Sequence, residues 1–388
     1  MIPYGKQYID QEDIKAVIEV LSSDFITTGP KIAEFESKIA EVTGAKYAVA
    51  VSNGTAALHI ASMVLLNRGN KVITTPNSFV ATANSILYMN AEPVFVDIAE
   101  DGNIDLDKVI ELLEKDKSSK GLYLVNFSGN PIDYNKLSYI KREFKIKILE
   151  DCAHALGANF GDIKVGSCSY SDCSTFSFHP VKHITTGEGG AITTNDEEIY
   201  KKLMTLRTHG IIRGDFTQPE MAYGKDMKLN PWYYEMTELG YNYRITDFQA
   251  ALGISQLKKL EKFLARRKEI AKRYDRFFSG NELIKPLYNF NDNSSYHLYV
   301  VRIDFEKLDI SKATFFYMMR EKGISLQVHY IPINLQPFYR QIGYGSEDLP
   351  EMYKYYNEAV SLPIYYELTD DMQDYIVENS FKIIEDMR

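Results

Sequence analysis

Short apolar segments alternate with helical segments between residues 46 and 195 of this 388-residue chain. The strand-like patterns cover residues 46–51, 71–75, 93–98, 120–126 and 145–150, and the helix-like patterns include residues 55–66, 105–114 and 134–144. Parallel strands need long crossover connections, which helices usually supply. The alternation therefore predicts an α/β fold, with a mostly parallel sheet covered by helices on both faces.

A long helix is predicted to lead out of this region. Thr246 and Gln249 have the spacing of a capping box, and apolar residues continue at helical spacing to about residue 276. Downstream, residues 297–303 and 325–329 are predicted strands and residues 312–322 a predicted helix. We therefore expect a large domain over residues 1–250 and a smaller C-terminal α/β domain over residues 251–388.

Charge and composition exclude several classes of protein. The net charge of −9 argues against a nucleic-acid partner, which would call for a basic surface. No apolar run approaches the about 20 residues that span a bilayer, and no signal pattern opens the chain, so we expect no membrane partner and a cytoplasmic location. The cysteines lack the spacing of a zinc site, which predicts no metal: Cys152, Cys168 and Cys173.

The predicted long helix nevertheless carries many basic side chains. We interpret them as a solvated helix face, because the chain as a whole is acidic. They are Lys258, Lys259, Lys262, Arg266, Arg267, Lys268, Lys272, Arg273 and Arg276.

Lys182 lies between two further strand-like stretches, residues 174–178 and 190–194, and glycines follow it closely. Such a setting predicts an amine at a strand end in a partly desolvated cleft. There the pKa of the amine falls, and the amine becomes a nucleophile that can form a Schiff base with an aldehyde. A lysine that snorkels at a strand end is the alternative, and the lysine alone favours that alternative.

Asp151 follows the predicted strand at residues 145–150. A carboxylate at the C-terminal end of a parallel strand points into the crevice where α/β proteins bind ligands. Pyridoxal phosphate (PLP) needs such a carboxylate to keep its ring nitrogen protonated. An N-cap for a following helix is an equally good interpretation of Asp151 alone.

Two further features precede Asp151 in the chain. Gly54 and Thr55 form a turn between a predicted buried strand and a predicted helix, so backbone N–H groups and a hydroxyl would face a phosphate. Phe79 lies at a strand-to-helix junction, where its ring could stack on a cofactor, although an aromatic there is more often core.

In chain order these features are a phosphate turn, an aromatic, a carboxylate and a lysine. With them, the chain resembles the fold type I PLP aminotransferases that act on nucleotide-linked keto sugars, the DegT/DnrJ/EryC1/StrS family. The resemblance covers nearly the whole chain and implies a large domain with a mostly parallel seven-stranded sheet. It includes the segments Ile2-Pro3-Tyr4-Gly5, Glu238-Leu239-Gly240-Tyr241-Asn242-Tyr243-Arg244, Gln327-Val328-His329-Tyr330-Ile331-Pro332 and Ser361-Leu362-Pro363.

The resemblance also implies roles for individual residues. Lys182 would hold PLP, Asp151 would keep its ring nitrogen protonated, and His154 would brace the ring or Asp151, a core histidine being the alternative. The other implied cofactor contacts are Gly54, Thr55, Phe79, Ser177 and, from the neighbouring subunit of a homodimer, Asn242. The implied substrate contacts are Tyr4, Asp24, Phe25, Ile26, Thr27, Gln327, Val328, His329 and Tyr330.

For activity, the resemblance implies transfer of an amino group from glutamate to C4 of a UDP-linked 4-keto-6-deoxy-N-acetylhexosamine, as in the pseudaminic-acid branch of the family. His183 departs from that branch, which tends to have proline there, and an imidazole beside Lys182 could alter the local pKa or the substrate fit. Two alternatives stay open: another nucleotide sugar (GDP- or dTDP-linked, aminated at C3 or C4), and a PLP-fold protein that binds a sugar nucleotide without catalysis. Lys182 and Asp151 both argue against the second.

Overall fold

A computed structural model describes residues 1–308 and 310–386 of the chain. Its strands are β1 (Tyr47–Val51), β2 (Lys71–Thr74), β3 (Glu92–Phe95), β4 (Ser119–Val125), β5 (Lys147–Asp151), β6 (Asn159–Phe160), β7 (Ile163–Lys164), β8 (Cys173–Ser177), β9 (Gly190–Thr194), β10 (Ile211–Ile212), β11 (Glu235–Met236), β12 (Ile284–Pro286), β13 (Tyr299–Ile303) and β14 (Ala359–Leu362).

The helices surround these strands. They are α1 (Gln11–Leu21), α2 (Pro30–Thr43), α3 (Gly54–Leu65), α4 (Val80–Tyr88), α5 (Leu106–Lys115), α6 (Tyr134–Phe144), α7 (Glu197–Arg207), α8 (Pro219–Ala222), α9 (Asp247–Leu257), α10 (Leu260–Phe278), α11 (Lys312–Glu321), α12 (Pro337–Gln341), α13 (Pro350–Glu358) and α14 (Asp370–Asp386). Within the described residues, no helix is both long and apolar enough to cross a membrane.

The central sheet has seven strands in the order β1-β9-β8-β5-β4-β2-β3. Strands β3, β2, β4, β5 and β8 pair in parallel, and β9 is the one strand of the seven that runs opposite to the other six, pairing antiparallel with β1 and β8. The predicted mostly parallel sheet is confirmed. Because β5 and β8 are adjacent and parallel, Asp151 and Ser177 end their strands at the same edge of the sheet.

Hydrophobic cores lie on both faces of this sheet. One includes Ile148 and Phe176 with helices such as α2 and α6, and the other includes Leu149 and Ile192 with α3 and α7. Neighbouring residues of a strand point to opposite faces, so Ile148 and Leu149 join different cores. In helix α5 the buried residues are Leu106, Val109 and Leu113. Their spacing puts them on one side of the helix, which faces the core.

The C-terminal part of the chain has a smaller sheet. Strands β12, β13 and β14 are antiparallel and pack with α10, α11 and α14 around a separate hydrophobic cluster. This agrees with the α/β character expected of the region, while the boundary between residues 250 and 251 stays a prediction.

The single long helix predicted from Thr246 is wrong, because the chain breaks it into α9 and α10. At the break, the amide of Lys259 donates to the carbonyl of Gln256, three residues earlier, and not to the residue four earlier. No proline or glycine marks this place. Instead, Lys259 Nζ lies 2.8 Å from Asp10 and 2.6 Å from Asp13, so contacts with the start of the chain hold the turn.

Two more expectations about this half of the chain are wrong. Residues 325–329 do not form a strand: Gln327 makes one isolated bridge with Ser361, while the amide of Ser325 donates to Ile2, so the segment divides its bonds between two partners. The basic residues of α9 and α10 are not all solvated. Arg267 is only 3% exposed, and the Lys259 side chain is nearly buried among acids.

Candidate active site

Lys182 lies in the connection between the antiparallel neighbours β8 and β9. The connection closes on itself at its base, where the amide of Phe178 donates to Gly189 and the amide of Thr186 donates to Phe178. Inside this closed loop, the amide of Lys182 donates to the carbonyl of His179 at 2.9 Å. The loop therefore holds Lys182 at the carboxyl edge of the sheet, beside the ends of β5 and β8.

The amine of Lys182 is set among buried groups. Burial lowers its pKa to about 8, Asp151 opposes that shift, and the guanidinium of Arg267 adds to it. Its nearest polar partner is Nε2 of His297, at 3.3 Å. A lysine that is partly neutral near neutral pH can act both as a nucleophile and as a base.

Asp151 ends β5 with a buried carboxylate. Oδ2 accepts a hydrogen bond from Thr82 Oγ1 at 2.7 Å, and Oδ1 accepts one from the amide of Ala153 at 3.1 Å. No helix begins after Asp151, which removes the helix-cap interpretation. Burial raises the pKa of this carboxyl, while Thr82, Ala153 and Lys182 act in the opposite direction. A carboxylate that has one strong side-chain donor and one weak amide donor retains the capacity to accept from a ligand.

The predicted phosphate turn lies at the N-terminus of α3. Asn53 caps the helix by accepting from the amide of Ala56 at 2.8 Å, and Thr55 is exposed in the first turn. A Cβ on Gly54 would lie 3.0 Å from the Cβ of Ser177, so the two predicted contacts are direct neighbours. Helix amides that lack an intrahelical acceptor, together with two hydroxyls, suit a phosphate.

Phe79 is not a core residue. Its side chain is 58% exposed at the start of α4, and its ring lies 6.4 Å from the ring of Tyr330. An exposed aromatic ring close to Tyr330 is free to stack on a ligand.

His154 is buried and contacts Tyr330, whose hydroxyl lies 2.9 Å from its Nε2. The two rings are almost parallel, with centroids 5.9 Å apart. Burial and the nearby positive groups hold the pKa of His154 well below its usual range, so its imidazole is neutral. The sequence suggested His154 and Tyr330 separately, and the structure joins them as a pair.

The other substrate contacts implied for the C-terminal half lie close to this pair. The Nδ1 of His329 lies 2.9 Å from the hydroxyl of Ser361, and the ring of Tyr4 lies 5.6 Å from the ring of His329. Val328 is half-buried and Gln327 is exposed. Of these residues, His329 lies close enough to Lys182 for the charge of the amine to act on its ring.

Two groups of predicted residues lie at the surface of the chain. Asp24, Phe25, Ile26 and Thr27 are exposed, and Thr27 pairs with Thr246 at the start of α9. Asn242 is also exposed and forms a bridge with Thr208, after α7. The roles of these residues in the site stay predictions.

Three residues of the site were not singled out from the sequence: Thr82, His297 and Arg267. A signal existed for Arg267, because it continues the buried stripe of α10, where Leu260, Phe263, Leu264 and Ile270 are also buried. A charged residue in an apolar stripe marks a buried polar contact. His297 and Thr82 carry no comparable local signal, since their partners are 115 and 69 residues away in the chain.

The sequence matches a known protein family over nearly its whole length. Residues 7–380 match the model of the DegT/DnrJ/EryC1/StrS aminotransferase family. The chain belongs to that family. Family membership confirms the fold type I architecture and makes the chain an enzyme of the aminotransferase class.

Individual relatives are similar over their full lengths. The chain is 37% identical to the UDP-4-amino-4,6-dideoxy-N-acetyl-beta-L-altrosamine transaminase of Campylobacter jejuni, over 100% of this chain and 99% of that protein. Helicobacter pylori PseC, an aminotransferase involved in the biosynthesis of pseudoaminic acid, superposes with a TM-score of 0.90 at 33% identity over 99% of both chains. A Streptococcus pneumoniae protein of 31% identity, solved in its PLP form, superposes with a TM-score of 0.88 over 100% of this chain and 99% of that one.

PLP is the cofactor of this family, and the residues present fit it. The adjacent Gly54 and Ser177, the exposed ring of Phe79, the carboxylate of Asp151 and the amine of Lys182 supply the four kinds of contact that PLP needs.

Proposed function

We propose that this protein transfers the amino group of glutamate to C4 of a UDP-linked 4-keto-6-deoxy-N-acetylhexosamine. The observation that carries the proposal is the full-length similarity to a transaminase of a UDP-linked amino sugar, in a chain that keeps the lysine and the carboxylate at one edge of the sheet. When bound, PLP supplies the carbonyl that accepts the amino group and the ring that delocalises negative charge.

The chain's own residues have separate tasks in this proposal. Asp151 keeps the ring nitrogen protonated, and Thr82 fixes the carboxylate by donating at 2.7 Å. Lys182, with its pKa lowered to about 8, takes the proton from the α-carbon of glutamate as a general base. Gly54, Thr55 and Ser177 bind the phosphate, and Phe79 covers one face of the ring.

Residues of the sugar-nucleotide site come from two directions in this proposal. Tyr4, Gln327, Val328, His329 and Tyr330 line it from their own chain. Asp24 to Thr27 and Asn242 are exposed at the surface of this chain, which supports a homodimer in which each chain completes its partner's site. Exposed apolar side chains at Phe25 (55%) and Ile26 (51%) agree with a surface that a second copy covers. A cytoplasmic location stays a prediction.

The direct test is an assay of purified protein with PLP, glutamate and the UDP-linked 4-keto sugar. We expect mass spectrometry to show a sugar product in which an amino group has replaced the keto oxygen, and NMR to place the nitrogen at C4. An equal amount of 2-oxoglutarate should form. Lys182→Ala is the matched control and should give no product. The same assay with GDP- and dTDP-linked keto sugars, and with a 3-keto sugar, separates the alternatives: faster turnover of any of these would contradict the proposed substrate.

A further inference from the structure

His297 stands beside Lys182 although nothing in the proposed function uses it. It lies just before β13, and its Nε2 is 3.3 Å from Lys182 Nζ. The ring is buried, and its centroid lies 4.4 Å from that of His154. His183 approaches the same ring from the other side, with centroids 5.6 Å apart. His297 is therefore the central member of a buried group of three imidazoles.

The group does not have the arrangement of a metal centre. Across residues 1–308 and 310–386, no group of three or more histidine, cysteine, aspartate or glutamate side chains has an arrangement that could hold a metal ion. Instead, each of the three rings leaves Nδ1 without a hydrogen-bond partner in the part of the chain that the structure describes. Each ring therefore forms hydrogen bonds only through Nε2. The Nε2 of His154 contacts the hydroxyl of Tyr330, and the Nε2 of His183 contacts the carbonyl of Ser295.

The Nε2 of His297 faces the amine of Lys182. Burial, together with the charges of Lys182 and Arg267 and the neighbouring imidazoles of His154 and His183, holds the pKa of His297 well below its usual range, so the ring is neutral. A neutral ring with its proton on Nδ1 offers the lone pair of Nε2 to an N–H of Lys182. The unpaired Nδ1–H is the energetic cost of that arrangement.

The position of His297 is fixed from behind. The buried guanidinium of Arg267 donates to the carbonyls of Tyr296 and His297, at 3.1 and 3.2 Å, and to that of Ile364 at 3.2 Å. One charged group thus ties the backbone that carries His297 to the segment after β14. A ring held in this way can define a position for a flexible lysine chain, which otherwise has four rotatable bonds.

We propose that His297 is a positioning residue for Lys182: its Nε2 accepts a hydrogen bond from the amine whenever the amine is not covalently engaged, and keeps it directed toward the cofactor site. The inference rests on the proposed role of Lys182. It adds a reason for the burial of Arg267, which fixes the acceptor.

The test uses apo-protein, so that no sugar nucleotide is involved. Competitive acetylation as a function of pH, read by mass spectrometry, gives the pKa and the reactivity of the Lys182 amine. In His297→Phe the ring shape stays but the acceptor is lost, and an ammonium loses a charge-assisted hydrogen bond. We expect the Lys182 pKa to fall by about one unit. The other titratable and charged groups near Lys182 remain unchanged: Asp151, His154, His183, Arg267 and His329.

A second readout follows the capture of PLP by visible absorbance after mixing with apo-protein. We expect capture to slow by about tenfold in His297→Phe, because the released amine samples other rotamers. His297→Gln places an amide oxygen near the position of Nε2 and should restore both the pKa and the capture rate. His183→Gln, the matched control, removes a ring of the same group that does not contact the amine, and both readouts should stay near those of the parent.

An unchanged Lys182 pKa in His297→Phe overturns the proposal, as does an equal shift in His183→Gln, which would assign the effect to general burial. If His297→Phe does not fold by circular dichroism, His297→Ala replaces it with the same expected shift. A wrong sugar assignment leaves both readouts intact, whereas a parent protein that never captures PLP would refute the role of Lys182 itself.

Discussion

Glu150 and Asp151 are consecutive residues of β5, and their carboxylates lie in opposite settings. Glu150 points into a closed environment, where Tyr134, Ser171, Asn126 and Ser174 all donate to it. Asp151 points toward Lys182, its nearby charge, and accepts from Thr82 and the amide of Ala153. Burial raises the pKa of both carboxyls.

The difference shows that burial and a shifted pKa do not by themselves identify a functional acid. Glu150 has its accepting capacity used by four protein donors, which is the condition of a structural carboxylate. Asp151 keeps capacity for a ligand, and its strand end opens toward Lys182. The number of protein donors, more than the pKa, separates the two faces of β5.

The largest effect is expected at Lys182, on the side of β5 that Asp151 faces. We call this side the open face, and the side of Glu150 the closed face. Lys182→Ala should remove turnover to the limit of detection while the protein remains folded, because the amine is both the attachment point and the base. Turnover is measured as 2-oxoglutarate formation, and folding by circular dichroism and urea unfolding. Substantial turnover without added amine would show that another group performs both tasks.

A pair of substitutions tests the comparison directly. Asp151→Asn should lower turnover by at least about 100-fold, because an amide does not stabilise a pyridinium charge. Glu150→Gln should leave turnover within about threefold of the parent but lower the free energy of unfolding by about 1–3 kcal/mol, since its new N–H₂ group meets donors. Turnover and urea unfolding are measured on both variants, and the reverse pattern would exchange the two roles.

A mixing experiment asks whether the open face extends to a second chain. Lys182→Ala and Asn242→Ala are each expected to be inactive. In a mixed dimer, one site inherits both lesions and the other inherits neither, if Asn242 acts across the interface. Activity should then return on subunit exchange, to about half of that of a parent dimer at most. Mixed dimers verified by native mass spectrometry that stay inactive would place Asn242 in its own chain's site.

The sequence predicted the half of the fold in which local pattern and tertiary structure agree. The strands near residues 71–75, 120–126 and 145–150 were recognisable because buried parallel strands are continuous apolar runs. The break at residues 258–259 was not, since ion pairs with Asp10 and Asp13, and no local breaker, hold it. Residues 325–329 failed for a similar reason, because their partners are the two distant segments around Ile2 and Ser361.

The site divides in the same way. Asp151 and Lys182 stood out because each is polar at the end of an apolar run, a contrast that is visible within about ten residues. Thr82 and His297 are polar residues in ordinary surroundings, and only the fold brings them to Asp151 and Lys182. The positions that orient reacting groups were therefore less predictable than the groups themselves.

The smallest expected effect concerns the stability cost of the open face. The folded-state pKa of Lys182 is about 8, against a usual value of 10.5, so the unfolded chain binds this proton more tightly. The buried amine therefore costs stability in full below pH 8, and the cost fades as the pH rises from 8 to 10.5. Lys182→Met should raise the free energy of unfolding of the apo-protein at pH 7 by on the order of 1 kcal/mol, the loss of a counter-charge for Asp151 offsetting part of a larger gain.

Urea unfolding of the parent and variant apo-proteins at pH 7 and pH 10 measures the difference, and Glu150→Gln on the closed face should show no such gain. A gain for Lys182→Met at pH 10 as large as at pH 7 would mean that the amine is not destabilised by burial, and that the two faces of β5 differ only in their hydrogen-bond donors.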